Sequence, residues 1–75
     1  MAAEVVIDAR ALEPPEPLLR TMEALEHLDS DSTLVVLLPR EPYPLYRALA
    51  VNGFGWQTEC RPDGSVEVRI RRQST

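Results

Sequence analysis

The spacing of hydrophobic residues along the chain predicts six secondary-structure elements. Short apolar runs rich in β-branched residues predict strands at residues 5–7 and 33–38. Regular alternation of apolar and polar side chains predicts two more strands, at residues 54–60 and 66–71. In the two segments that separate the first three strands, apolar residues recur every three or four positions. That is the period of an amphipathic helix.

Each predicted helix follows a cluster of prolines. Proline suits the first turn of a helix, because the backbone N–H groups there have no partner within the helix. The apolar stripe of the first helix comprises Leu18, Leu19, Met22, Leu25 and Leu28. Its outward side carries Arg20, Glu23, Glu26 and His27. The second helix pairs Leu45 with Leu49 and Tyr46 with Ala50, and Gly53 is expected to end it in a left-handed conformation.

The last two strands are predicted to form a hairpin around the loop Pro62-Asp63-Gly64. A loop of three residues places Cys60 opposite Val66 and keeps the apolar faces together, whereas a loop of two residues mixes them. The element order is then β-α-β-α-β-β. It predicts an α+β protein, a two-layer α/β sandwich in which two helices cover one face of a four-stranded mixed sheet. The first two strands should run parallel, because a helix connects them. Residues 1–72 are expected to form a single domain, and residues 73–75 a frayed tail.

The sheet face away from the helices is expected to be open. The polar residues predicted on it are Gln57, Glu59, Glu67, Arg69 and Arg71, beside one apolar set from residues 33–38. This face is either a partner surface or an ordinary half-polar sheet face.

Charge and the scarcity of cysteine and histidine exclude several classes of function. The chain has a net charge of −4, one cysteine and one histidine, so internal disulfides and a structural zinc site are excluded. An acidic chain is a poor nucleic-acid binder, because phosphate neutralisation dominates that affinity. The longest apolar run, residues 34–38, is too short to cross a bilayer, and no targeting segment is visible. The expected location is therefore the cytoplasm.

The charge is also unevenly divided along the chain. Residues 1–31 carry a net charge of −6 and residues 32–75 a net charge of +2. This asymmetry marks solvated faces, an acidic surface for a partner, or a basic anion site.

Three motifs carry a resemblance to a known superfamily. The segment at residues 6–17 reads Val-Ile-Asp-Ala-Arg-Ala-Leu-Glu-Pro-Pro-Glu-Pro. It resembles the Leu-Asp-x-Arg-Gly-Leu-x-Cys-Pro-x-Pro signature of the TusA/SirA-like proteins. With Pro42-Tyr43-Pro44-Leu45-Tyr46 and the closing Val68-Arg69-Ile70-Arg71-Arg72, the chain is more similar still to the domain-of-unknown-function family 2249. The resemblance covers residues 5–72 and implies the same two-layer fold.

The chain departs from these families at positions that carry chemistry. In TusA-like sulfur carriers the motif cysteine takes up a persulfide, and the matching residue here is Pro14, which cannot hold sulfur. Many members of family 2249 have a histidine before the second helix, where this chain reads Arg40-Glu41-Pro42. A metal or proton-transfer role is therefore not expected at that loop. The glycine that usually follows the first arginine is Ala11.

The loops that precede the two helices are expected to meet at the carboxyl end of the parallel strands, where ligand sites are common. The candidate ligand- or partner-binding residues are Arg10, Glu13, Pro14, Glu16, Arg40, Glu41, Tyr43 and Tyr46. Two arginines beside two helix starts are suited to a carboxylate, phosphate or other oxyanion. In the alternative, the nearby glutamates hold the arginines in an internal network and the tyrosines only pack the helix onto the sheet. No catalytic, cofactor-binding or metal-binding residue is expected.

The leading functional hypothesis is a small cytoplasmic, non-enzymatic binding or adaptor domain. The resemblance implies redox or hemerythrin-like partners, because family 2249 domains occur beside such domains. We expect a protein partner, no nucleic acid and no membrane, with the chain a monomer or a weak homodimer through the open sheet face. The alternatives are a sulfur carrier that uses Cys60 and a small-anion binder at the two loops. Cys60 is expected to face inward as a small buried hydrophobe, and His27 to lie in solvent.

Overall fold

The computed structural model describes residues 3–73 and contains the six expected elements in the expected order. They are β1 (Glu4–Asp8), α1 (Glu16–Glu26), β2 (Thr33–Leu38), α2 (Tyr43–Val51), β3 (Phe54–Cys60) and β4 (Val66–Arg72). The four strands form one sheet in the order β1-β2-β4-β3. β1 and β2 pair in parallel, and the other neighbours pair antiparallel. The α+β two-layer architecture predicted from the sequence is confirmed.

The core lies between the helices and one face of the sheet. Its buried members are Ala9, Leu25, Leu28, Leu34, Val36, Leu38, Leu45, Leu49, Phe54, Val66, Val68 and Ile70. The central strands β2 and β4 contribute alternate residues to it, since Leu34, Val36 and Leu38 lie opposite residues of β4 that are also buried. Burial of this apolar face is the main term that stabilises the fold.

Both helices begin at prolines, as their sequences predict. Pro15 and Pro42 occupy the N-cap positions, and neither helix has a side-chain hydrogen bond at its cap. The first helix is shorter than its apolar stripe suggests: it ends at Glu26, and Leu28 is buried in the turn that follows. Leu19, expected in the apolar stripe, is 57 % exposed, because it lies on the flank of α1 that the sheet does not cover.

The hairpin between β3 and β4 has the predicted register. Cys60 lies opposite Val66, and the Arg61 N–H donates to the Ser65 carbonyl at 2.9 Å, which closes a loop of three residues. Gly64 has a φ of 90°, the left-handed conformation that this loop requires. Gly53, at the end of α2, has a φ of 79° and confirms the predicted glycine turn.

The face away from the helices carries an ionic network. Arg69 on β4 is ion-paired with Glu4 on β1, so its side chain crosses over the intervening strand β2. Arg69 also pairs with Glu67 at 3.0 Å, and Glu67 pairs with Arg61 at 3.2 Å. Val35 of β2 lies directly opposite Arg69 and is only 4 % exposed. The polar character predicted for this face is confirmed, and its use as a weak dimer interface stays a prediction.

The carboxyl end of the described chain is tied to the sheet. The Gln73 N–H donates to the Gly53 carbonyl at 3.2 Å, while residues 74–75 of the predicted tail lie outside the described residues. Across residues 3–73, no helix has the length and apolar composition needed to cross a membrane.

Candidate functional site: a proline-lined groove

The two loops that precede the helices meet, as expected, and leave a groove between them. The groove has a volume of about 510 Å³ and is lined by Leu12, Glu13, Pro14, Pro15, Pro17, Leu18, Leu38, Pro39, Arg40, Pro42, Pro44 and Leu45. Six of the seven prolines in the chain are in this lining. The walls are therefore mostly apolar, and Glu13 and Arg40 are the ionisable residues on them.

Local backbone contacts hold the first of these loops in place. The Ala9 N–H donates to the Leu37 carbonyl at 2.8 Å, which extends the pairing of β1 with β2 by one residue. Ala9 is completely buried, and its carbonyl accepts the Leu12 N–H at 3.2 Å. The chain therefore turns sharply after β1, and Leu12 packs against the core at the start of the groove.

The prolines decide what the groove can bind. A helix N-terminus usually attracts anions through its free N–H groups. Pro15 and Pro17 at α1, with Pro42 and Pro44 at α2, remove such donors from both helix starts. The two helix starts therefore offer apolar surface in place of backbone hydrogen bonds to an anion, and Arg40 is the cation in the lining.

Arg10, expected to converge with Arg40, is engaged by residues outside the groove. Its Nε and Nη2 atoms donate to the two carboxylate oxygens of Asp8 at 2.8 and 2.7 Å. Its Nη1 atom lies 3.8 Å from an oxygen of Asp63 in the hairpin loop. Arg10 therefore does not line the groove with Arg40, and the two-arginine anion site stays a prediction. The partners are also not the predicted glutamates, because Asp8, two residues away, already presents a carboxylate at the right reach.

The same pairing lowers the pKa of Asp8. Hydrogen bonds from the Arg10 side chain and backbone N–H, with the positive charges of Arg10 and Arg61, bring it from 3.8 to about 2. Asp63 also has a lowered pKa, chiefly because it accepts hydrogen bonds from the Ser65 hydroxyl and backbone N–H.

Replacing Arg10 with glutamine is expected to raise the pKa of Asp8 from about 2 part of the way to 3.8, because the bidentate contact is lost and the backbone hydrogen bond remains. The folded-state pKa lies below the unfolded one. The pair therefore stabilises the fold above pH 3.8, and this contribution is lost as the pH falls through about 2. A carboxyl ¹³C NMR titration measures the shift. Arg20→Gln, which removes the partner of Glu16, is the control and should leave Asp8 unchanged. An equal Asp8 pKa in wild type and Arg10→Gln would contradict the assignment.

The other candidate residues divide between the groove and internal contacts. Glu13, Pro14 and Arg40 line the groove, and all three are exposed. Neither Glu13 nor Arg40 forms a salt bridge with any residue between 3 and 73. Glu16 instead pairs with Arg20 one turn along α1, at 3.5 Å.

The two tyrosines pack on α2 outside the groove lining. The Tyr46 ring stacks on Trp56 of β3, with centroids 5.4 Å apart, and its hydroxyl lies 2.5 Å from the Thr58 hydroxyl. Tyr43 meets the edge of the Tyr46 ring, and a hydrogen bond to Glu41 raises its pKa. Tyr46 therefore packs α2 onto the sheet, whereas Tyr43 is 69% exposed and contacts the outer side of Tyr46.

Cys60 is exposed, which corrects the expectation of a buried thiol. The predicted register is right, but Cys60 is the last residue of edge strand β3. The helices do not cover that end of the strand.

Because Cys60 is exposed, iodoacetamide should alkylate it in the native protein at a rate within about threefold of the rate in denaturing urea. Intact-mass spectrometry over time measures both rates, with Cys60→Ser as the blank. Native protection of about tenfold or more would restore the buried assignment.

The remaining polar residues that the structure describes give no sign of a metal site. His27 lies at the C-cap of α1 and is exposed, as expected. Within residues 3–73, no group of three or more His, Cys, Asp or Glu side chains is arranged to hold a metal ion.

The sequence pattern does not predict most of the groove lining. Nine of the twelve lining residues lie outside the predicted set, and all nine are prolines or leucines, whose positions predict helix starts or core contacts. The signal that identifies them is the placement of proline clusters in both loops that were expected to meet. Proline pairs at two converging loops indicate an apolar surface there.

Comparisons with known proteins agree with this architecture. A protein-family model described as an uncharacterized conserved protein (DUF2249) matches residues 6–72. Among solved structures, the chain is similar to a SirA-like protein from Desulfitobacterium hafniense, with 25% sequence identity and a TM-score of 0.79. That similarity covers 93% of this chain and 95% of the other. No protein with a curated description matches the chain.

Proposed function

The chain belongs to the uncharacterized conserved family DUF2249 and shares the fold of a SirA-like protein, and on that basis we propose that it is a small non-catalytic binding domain. It recognises a protein partner through the proline-lined groove. The supporting observation is the groove itself, an open apolar cleft of about 510 Å³ in a domain of only 75 residues. Clefts of this size and character are typical of binding sites.

The lining contains no cysteine, histidine, serine or threonine. A binding role therefore fits the groove better than nucleophilic catalysis or sulfur transfer. Pro14 forms part of the wall at the position of the cysteine in TusA-like carriers. A cytoplasmic location and a redox or hemerythrin-like partner, as the family resemblance implies, are parts of this proposal.

The two alternative functions receive less support. Small-anion binding is less well supported because Arg10 is paired with Asp8 and because prolines replace N–H donors at both helix starts. Sulfur carriage by Cys60 gains from the exposure of the thiol, but Cys60 lies at the end of β3 and outside the groove lining.

Selection of binders from a displayed library of random peptides tests the proposal. The selected peptides should bind the wild-type protein and lose about tenfold or more in affinity for Pro44→Asp, because the variant places an unpaired carboxylate against the apolar ligand. Pro44 is exposed in the first turn of α2, where aspartate is compatible with the helix dipole, so the variant should fold. Fluorescence anisotropy with labelled peptides measures the dissociation constants.

The matched control is Val51→Asp, which adds the same charge at the other end of α2. Val51 is 80% exposed and does not line the groove. The affinity of Val51→Asp for the selected peptides should stay within about twofold of wild type. Selected peptides that bind Pro44→Asp as tightly as wild type, or that shift amide resonances only outside the groove, would refute the proposal.

A further inference from the structure

Resting on the proposed function, we infer that the partner segment in the groove is an amphipathic helix. This helix has an apolar stripe, an acidic residue on one flank and a basic residue on the other. Two independent features of the lining lead to this conclusion: the prolines, which reduce the number of backbone donors, and the charges of Arg40 and Glu13.

The prolines disfavour recognition through the main chain. An extended peptide binds by strand addition when an exposed backbone edge donates and accepts hydrogen bonds. Half of the groove lining is proline, and proline has no N–H to donate. A helix satisfies its own backbone groups internally, so it loses nothing against such a wall.

Recognition of an extended polyproline segment is also disfavoured. Domains that bind such segments do so with aromatic-lined grooves. No aromatic residue is in this lining, because the stack of Tyr46 on Trp56 lies elsewhere. The leucines and prolines form instead a smooth aliphatic surface that suits the apolar face of a helix.

The charges on the walls define the flanks of that helix. Glu13 lies in the loop before α1 and Arg40 in the loop before α2, so the groove has an anion on one wall and a cation on the other. Both side chains are exposed, and neither has a salt-bridge partner within residues 3–73. A helix with a carboxylate facing Arg40 and a cation facing Glu13 complements both charges, and opposite charges on the two walls fix its direction.

Two displayed libraries distinguish this mode from the others. One is built on an alanine-rich helical scaffold of about 18 residues, and the other on a proline- and glycine-rich extended scaffold. The helical library should yield binders with apolar residues at i, i+3 or i+4, and i+7, and with opposite charges on the two sides of this stripe.

Charge reversal then tests the orientation. Arg40→Glu should lower the affinity for the selected helical peptide by about tenfold. Changing the acidic residue of the peptide to lysine should restore the affinity of the peptide for that variant. Glu13→Lys should behave in the same way toward the basic flank. Arg47→Glu reverses an exposed charge on α2 outside the groove lining, and its affinity for the peptide should stay within about twofold of wild type.

The contrary outcomes separate the two proposals. Groove binders from the extended library alone, or helical binders indifferent to both reversals, would overturn this inference and leave the binding function intact. A dimer in sedimentation equilibrium that Pro44→Asp disrupts would overturn it in favour of a second copy of the chain. If neither library gave a binder sensitive to Pro44→Asp, and no such dimer formed, both proposals would fail.

Discussion

Replacing Leu49 with alanine is expected to destabilise the protein by about 2–5 kcal/mol. Leu49 is completely buried on the inner face of α2, so truncation removes buried apolar area and leaves a cavity. At the stability per residue typical of folded proteins, a chain of 75 residues has a total stability of about 4–11 kcal/mol, so the variant retains only part of the wild-type margin. Urea denaturation followed by far-ultraviolet circular dichroism measures the loss in the free energy of unfolding.

Val51→Ala is the matched control on the same helix. Val51 is 80% exposed, so its truncation should change the free energy of unfolding by less than about 0.5 kcal/mol. Similar losses in the two variants would mean that α2 does not pack on the sheet through Leu49. In that case the wall of the groove formed by α2 would not be held as described.

The fold was predictable because each element has its own local signal. The two-residue alternation of β3 and β4 left only one hairpin loop that kept their apolar residues together, and the observed pairing of Cys60 with Val66 follows from it. The helix spacing between β1 and β2 likewise required a parallel pair. These signals act between near neighbours in the sequence, and tertiary packing reinforced them.

The candidate site was harder to predict, because it depends on competition between side chains. Arg10 had carboxylates at several sequence distances, and only the geometry of the turn after β1 selects Asp8 and Asp63. The alternation of β3 correctly placed Cys60 on a face. It did not show that the last residue of the strand extends beyond the elements that bury this face. Exposure at the end of an element depends on where neighbouring elements finish, which periodicity does not specify.

The prolines have a further consequence when the two helix starts are considered together. At each helix start alone, proline is a conformational fit to the first turn. Together, six prolines from two converging loops make one surface that is mostly apolar and has few backbone donors. The same residues therefore weaken the anion hypothesis and support apolar recognition. The fold places them together only because β1 and β2 are parallel neighbours.

The orientation of α2, which carries one wall of the groove, depends on its contacts with edge strand β3. Trp56 supplies the largest of these side chains, stacking on Tyr46 with an interplanar angle of 9°. The Tyr46 hydroxyl also bonds to Thr58 on the same strand. Leu45, in the groove lining, precedes Tyr46 directly on the helix. Loss of the stack should therefore also shift the position of Leu45 in the groove lining.

Trp56→Ala is expected to destabilise the protein by about 2–4 kcal/mol, less than a fully buried tryptophan would cost because Trp56 is half-buried. Trp56→Phe keeps a ring for stacking and should cost under about 1.5 kcal/mol. A double-mutant cycle with Tyr46→Ala should give a coupling energy of about 0.5–1.5 kcal/mol for the ring pair. Circular dichroism is the readout, because Trp56 is the only tryptophan and its fluorescence disappears with it. If the two substitutions were additive, the stack would contribute nothing beyond burial, and α2 would be positioned by its other contacts, Leu45, Leu49 and the bond between Tyr46 and Thr58.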